Sequence, residues 1–205
     1  MQPLAEMKDG RLYDLLEASG EQARTSVRLL AGLLEDGCDG PAAVAEPAQA
    51  GAKIADAVRA HMLQAVFTSL PKADVETLLR ALSAIPVAVS RFAERLGLIA
   101  NRKGVAGFAE ALGWIEELTE ILLDAVRQLR GFDSLDRIKE LYLRVQKVAD
   151  QAETLVHGTI NRAYQHSVNP LDLLATKDLG DGLDEIIDRC REAGALMNRV
   201  SLQFL

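Results

Sequence analysis

Residues 75–99 read VETLLRALSAIPVAVSRFAERLGLI, and the placement of their apolar side chains decides the fold class. Val75, Leu78, Leu82, Ile85, Val89, Phe92, Leu96 and Ile99 follow one another at steps of three and four, the period that gathers side chains on one stripe of an α-helix. A strand would alternate at every second residue, and no stretch of any length does so. Phe108, Leu112, Ile115, Leu118, Leu122, Val126 and Leu129 repeat the helical pattern. So do Leu135, Ile138, Leu141, Val145, Val148, Ala152, Leu155 and Thr159, and then Leu179, Leu183, Ile186, Cys190, Met197, Val200 and Phe204. Nearer the N-terminus the pattern is looser, with Leu12, Leu15, Leu30 and Leu34 on one segment and Ile54, Val58, Met62 and Ala65 on the next.

Composition agrees with packed helices. Hydrophobic residues are 49% of the 205-residue chain but aromatics only 4%, so the core is built from Leu, Ala, Val and Ile. Charged residues at 26% and a mean hydropathy of +0.05 exclude a disordered chain and a membrane-spanning one. No run approaches the roughly 18 apolar residues a bilayer span requires. The net charge of -7 argues against nucleic acid as a partner, because phosphate backbones are bound by clustered Lys and Arg. Glu6, Lys8 and Asp9 occupy the place where a signal peptide would be apolar, and Cys38 and Cys190 fit no Cys-x-x-Cys spacing. A cytoplasmic protein with two unpaired thiols is the expectation.

Turn-forming residues divide the chain into six helices. Gly37 to Pro47, Leu70-Pro71-Lys72, Asn101 to Gly104, Gly131-Phe132-Asp133-Ser134 and the run at Asn169 are the breaks. At Asn169-Pro170-Leu171-Asp172 the asparagine is placed to cap a helix, the proline suits its first turn and the aspartate suits the positive end of its dipole. Pro86, inside the most regular stripe, removes a helical hydrogen bond and predicts a kink. An internal repeat runs through the chain: Ile54-Ala55-Asp56, a turn at Pro71 and a long helix are echoed by Val148-Ala149-Asp150, a turn at Pro170 and a long helix. The expected fold is all-α, an elongated six-helix bundle of two pseudo-repeated three-helix units. Residues 1–205 form one domain, with repeat one over about 8–100 and repeat two over about 105–205.

Leu183-Asp184-Glu185-Ile186-Ile187-Asp188-Arg189-Cys190, following Asn169-Pro170-Leu171-Asp172, resembles the final helix of the PhoU-like phosphate-transport regulators, in their short branch associated with Pit-type transporters. Val148-Ala149-Asp150 resembles the family's Ala-Asp motif in the preceding helix. Ile54-Ala55-Asp56, Phe67-Thr68, Pro71, Asp74-Val75 and Ala93-Glu94-Arg95-Leu96 resemble its first copy. The resemblance spans roughly residues 50–205. It implies two pseudo-symmetric three-helix bundles, a non-enzymatic regulatory role at the cytoplasmic face of a phosphate transporter, and metal held by Glu/Asp-x-x-x-Asp motifs on paired helices. The chain departs from that pattern. Ser83, Ala84 and Val87 stand on the third helix where acids are expected, and Gln146 stands four residues before Asp150 in place of a glutamate.

The remaining acids set out a reduced second-repeat site. Asp184 and Asp188 lie four apart on one helix face, their Cβ atoms about 5–6 Å apart, where like charges repel and a divalent or iron-type ion would relieve them. Asp150, Glu153 and His157 sit at steps of three and four on the preceding helix and complete the candidate metal ligands if the two helices run antiparallel. The opposing reading makes both sets solvated faces. His61, His157 and His166 are too scattered for a zinc site, Trp114 beside Ile115 is an interface or core residue, and Arg127, Arg130 and Arg137 read as solvated. No nucleophile signature is present, so no enzyme activity and no catalytic residues are expected. Three functions stay open: a contact-based regulator of inorganic phosphate transport, a metal-cluster bundle, and a plain helical scaffold or dimerisation module. A homodimer is expected, since long amphipathic helices leave apolar surface to cover.

Overall fold

The computed structural model describes residues 4–35, 41–65, 68, 70–99, 106–130 and 135–203. Six helices account for nearly all of them: α1 (Leu4–Glu35), α2 (Pro41–Gln64), α3 (Lys72–Leu98), α4 (Ala109–Gln128), α5 (Leu135–His166) and α6 (Pro170–Leu202). No strand occurs among the described residues. At 1.5 Å per residue the longest helices extend about 50 Å. The periodic residues are the buried ones. Val75, Leu78, Leu82, Ile85, Val89, Phe92 and Leu96 of α3 are buried, as are Leu112, Ile115, Leu118, Leu122 and Val126 of α4 and Leu183, Ile186, Cys190 and Met197 of α6. Leu155 and Ile99 are half-buried against the same core.

Helix ends follow the local chemistry. Asn169 adopts an extended backbone, and its side chain accepts a hydrogen bond from the Leu171 amide at 3.0 Å, with Pro170 in the first turn. Lys72, at the start of α3, donates to the carbonyls of Met62 (2.7 Å) and Ala65 (3.1 Å). It thereby satisfies groups left open at the end of α2, where the helix dipole also favours a cation. The break between α1 and α2 is shorter than expected: α2 begins at Pro41 and Pro47 lies inside it. A proline costs a helix only one hydrogen bond and a local clash, which packing of Val44, Val58 and Met62 into the core offsets. Pro86 is likewise absorbed, buried within an α3 that runs from Lys72 to Leu98 as one element. The expected turns at 101–104 and 131–134, with Phe67, Cys38 and Phe204, lie outside the described residues.

Within the first half α1, α2 and α3 each pack on the other two, as do α4, α5 and α6 in the second, and α1–α4 and α3–α6 join the halves. Ion pairs fix the α1–α4 register. Arg127 reaches Glu17 at 2.7 Å and Glu21 at 3.1 Å, and Arg130 pairs with Asp14, so these two arginines bridge helices rather than standing free in solvent. The Glu17 hydrogen bond leads the effects that hold the Arg127 pKa above its ordinary value, against desolvation. Arg137 pairs with Glu140 on its own helix.

α6 approaches its neighbours closely because glycine stands at the contacts. A Cβ on Gly182 would lie 2.9 Å from Cδ2 of Phe92, one on Gly180 2.4 Å from Cδ1 of Ile160, and one on Gly194 3.1 Å from Cγ1 of Val145. Gly182→Ala is expected to destabilise by about 1 kcal/mol, because displacing a buried ring costs roughly 1–3 kcal/mol against a helix-propensity gain of about 1 kcal/mol. Gly113 on exposed α4 surface has nothing within 4 Å of its Cβ position, so Gly113→Ala should raise the denaturation midpoint instead. Urea titrations of both variants check the opposite signs.

Candidate functional site

The antiparallel pairing of α5 and α6, visible in the Val145–Gly194 and Ile160–Gly180 contacts, brings all five candidate ligands to one face. They do not converge on a common point. Among the described residues no group of three or more His, Cys, Asp or Glu side chains is arranged to hold a metal ion. They divide instead into two clusters.

The first is centred on Arg191, which the sequence reading did not single out. Its Nη2 donates to Asp150 Oδ1 at 2.7 Å and to Glu153 Oε2 at 2.6 Å, and its Nη1 lies 3.6 Å from Asp188 Oδ1. The guanidinium thus takes up three of the five expected ligands. Burial is the largest single influence on Arg191 and works against its charge, but the hydrogen bonds it donates to Glu153 and Asp150, with their charges, outweigh it and raise its pKa. Its side chain is 23% exposed, against 71% for Asp150 and 72% for Asp188, so the arginine is the inner member of the cluster. The signal was available in the sequence. Arg191 lies three residues after Asp188, on the same helix face, and the antiparallel register carries that face onto Asp150 and Glu153.

The second cluster pairs His157 Nε2 with Asp184 Oδ2 at 3.1 Å. The other oxygen, Oδ1, is buried without a hydrogen-bond partner among the described residues. Desolvation accordingly dominates and pushes the Asp184 pKa above the usual carboxylate value; the His157 charge and hydrogen bond pull it down, and Glu153 and Asp188 add to the rise.

As a donor set this fits a guanidinium better than a metal ion. The carboxylates that would bind hard cations are already charge-neutralised and hydrogen-bonded by a planar five-donor group, so an ion would have to displace Arg191. At the corresponding place in the first half, Asp56 is exposed and pairs with Arg59 at 2.9 Å. Ser83, Ala84 and Val87 line a groove there, whose acids are Asp56, Glu76 and Glu185 instead. Elsewhere, Trp114 is half-buried against the core, His166 is exposed in the last turn of α5, and His61 is half-buried with Nε2 lacking a partner among the described residues. Cys190 is a free thiol whose complete burial pushes its pKa up to about 12, which leaves it unreactive.

Arg191→Ala is expected to lower stability by about 1 kcal/mol through unrelieved carboxylate repulsion and lost packing. Mg2+ or Mn2+ should raise the melting temperature of Arg191→Ala and leave that of the wild type unmoved. Stoichiometric metal in chelator-free wild-type protein, lost in Asp188→Ala, would reverse this assignment. For Asp184, a pKa raised by folding means that its contribution to stability is fully present below the unfolded value of 3.8 and is lost as pH rises through the higher folded one. Asp184→Asn removes that loss, so its melting temperature at pH 7 should equal or exceed that of the wild type, with the gap closing as pH falls through this window. A clear drop at pH 7 would show that the ionised carboxylate is stabilising.

No family model matches the sequence, and no match is found among curated proteins. Solved structures do match. A protein described as a PhoU-like phosphate regulatory protein from Shewanella oneidensis MR-1 superposes with a TM-score of 0.73 at 12% identity, covering 94% of this chain and 99% of that one. A second PhoU-like protein from the same organism superposes at 0.72 and 11% identity, covering 93% and 96%. Among the described residues no helix is long and apolar enough to cross a membrane. The described residues form an all-helical bundle, and over 94% of its length the chain shares the PhoU-like fold.

Proposed function

We propose that this protein is a divergent PhoU-like regulator of inorganic phosphate transport, non-enzymatic and cytoplasmic, acting by contact between a helix face and a phosphate transporter or its associated regulator. The observation that carries this reading is the superposition over 94% of the chain on a PhoU-like phosphate regulatory protein, together with the two sets of PhoU-like motif residues at corresponding places in the halves. The salt-bridged cluster around Arg191 favours action by contact over metal chemistry, since its carboxylates are engaged within the protein. The same reading takes the protein as a homodimer, which light scattering of the purified chain measures directly. Leu98 (86% exposed), Leu171 (73%) and Val168 (98%) are apolar surface for such an assembly.

The test is deletion of the gene in its own cells, followed by uptake of radiolabelled orthophosphate under phosphate-rich and phosphate-starved growth. Uptake is expected to change in at least one condition and to be restored by the wild-type chain. Uptake that is unaltered in both conditions would rule out a transport role and leave the scaffold reading.

A further inference from the structure

Between α2 and α3, bordered by Glu185 and Arg189 of α6, lies a groove of about 610 Å3. Small side chains line it and leave space between the helices: Ala52 and Ala55 from α2, and Ser83 and Ala84 from α3. Ser83 Oγ is buried and without a hydrogen-bond partner among the described residues, giving that lining one polar point. The α3 wall runs from Glu76 to Arg91, about 22 Å of helix.

Arginines stand at both ends of this groove, Arg59 and Arg80 at one and Arg91 and Arg189 at the other. Arg80 and Arg91 are separated by about 16 Å along α3. Two of the four pair only with exposed acids, Arg59 with Asp56 at 2.9 Å and Arg189 with Glu192 at 3.1 Å, and Arg91 lies 3.5 Å from the half-buried Glu185. Arg80 has no hydrogen bond or ion pair among the described residues. Exposed pairs contribute about 1 kcal/mol or less and yield readily to a competing carboxylate. Four arginines and three acids, Asp56, Glu76 and Glu185, line the groove, a small cationic excess in a chain of net charge -7.

We propose that this groove docks an amphipathic helix of another protein that carries acidic side chains about three turns apart with an apolar face between them. Length and charge both point there. A free phosphate ion would engage one end only, whereas a helix reaches both Arg80 and Arg91 across about 16 Å. A helix lying along the groove places small apolar side chains over Ala55 and Ala84 while its terminal acids meet guanidiniums at both ends, the helix-in-groove mode of recognition. Arginine suits this work because its planar fork binds carboxylates in pairs and is weakly hydrated. The inference rests on the shape and charge of the groove and does not depend on a role in phosphate transport.

The experiment places p-benzoylphenylalanine at Val87, a groove-wall residue that is 38% exposed, in the full chain expressed in its own cells. After irradiation the captured peptide is mapped by mass spectrometry. The expected product is one acidic amphipathic helical segment of another protein. Its yield should fall about tenfold when Arg80→Glu and Arg91→Glu are combined, as loss of complementary charge pairs predicts, while the melting curve stays unchanged; Arg80→Gln, which adds no negative charge, should lower it less. The same photoprobe at exposed Leu143 of α5 should not capture that segment. Capture of a second copy of this chain, of lipid, or of a basic or non-helical segment would overturn the proposal. So would no capture, or capture indifferent to charge reversal.

Discussion

The close approach of α6 to α3 and α5 sets the geometry of everything functional in this protein. Three glycines make that approach possible: Gly180 lies against Ile160, Gly182 against the Phe92 ring, and Gly194 against Val145. With side chains there, α6 would stand off from both neighbours. At the observed distance its two faces reach different partners. One presents Arg191 to Asp150 and Glu153 of α5, and the other presents Glu185 and Arg189 to the rim of the α2–α3 groove. α6 therefore joins the halves through α3, as α1 does through α4, and completes both candidate surfaces. The helix-propensity cost of each glycine, about 1 kcal/mol relative to alanine, is offset by burial of the residues it admits.

Arginine supplies the cross-helix charge pairs. Arg28 reaches Glu120, Arg127 reaches Glu17 and Glu21, Arg144 reaches Glu117, and Arg191 reaches Asp150 and Glu153. Lysine serves local tasks, such as closing the end of α2 through Lys72. The division follows from the side chains. A guanidinium spans two carboxylates with fixed geometry, whereas an ammonium is a compact, strongly hydrated charge. Exposed pairs add little stability each. Their contribution is register, since an apolar seam of Leu, Ala and Val tolerates sliding by a turn that an Arg–Glu match between specified positions does not.

The fold was legible because its signal is periodic and long. The stripe from Val75 to Leu96 identified α3 residue by residue, and Asn169-Pro170 marked the start of α6 to the residue. Prolines misled in one place: Pro47 looked like part of a break and is inside α2, because burial of Val44, Val58 and Met62 offsets the roughly 3 kcal/mol of its lost hydrogen bond and clash. The site was less legible. The acids were identified and all five do reach one face, yet the residue that organises three of them was passed over. Spacing along a helix shows which residues share a face, but not which side chain on that face is the inner one. Arg191 is inner because α5 crosses at the height of Asp150 and Glu153, a property of inter-helix register that one-dimensional spacing does not contain.

The two halves carry different charge patterns. In the second half, Asp150, Asp184 and Asp188 remain, and Arg191 and His157 answer them from within the protein. In the first half, Asp56 has its own Arg59, the α3 positions are Ser83, Ala84 and Val87, and the unfilled space is rimmed by arginines. One half thus offers a face whose acids are mostly paired within the protein, the buried Oδ1 of Asp184 apart, and the other a groove where Arg80 has no partner among the described residues. Electrostatic complementarity governs which partner approaches and in which orientation more than it governs affinity. With its arginine-lined groove on one half only, the bundle presents a single side to an acidic partner, and the contact has a direction.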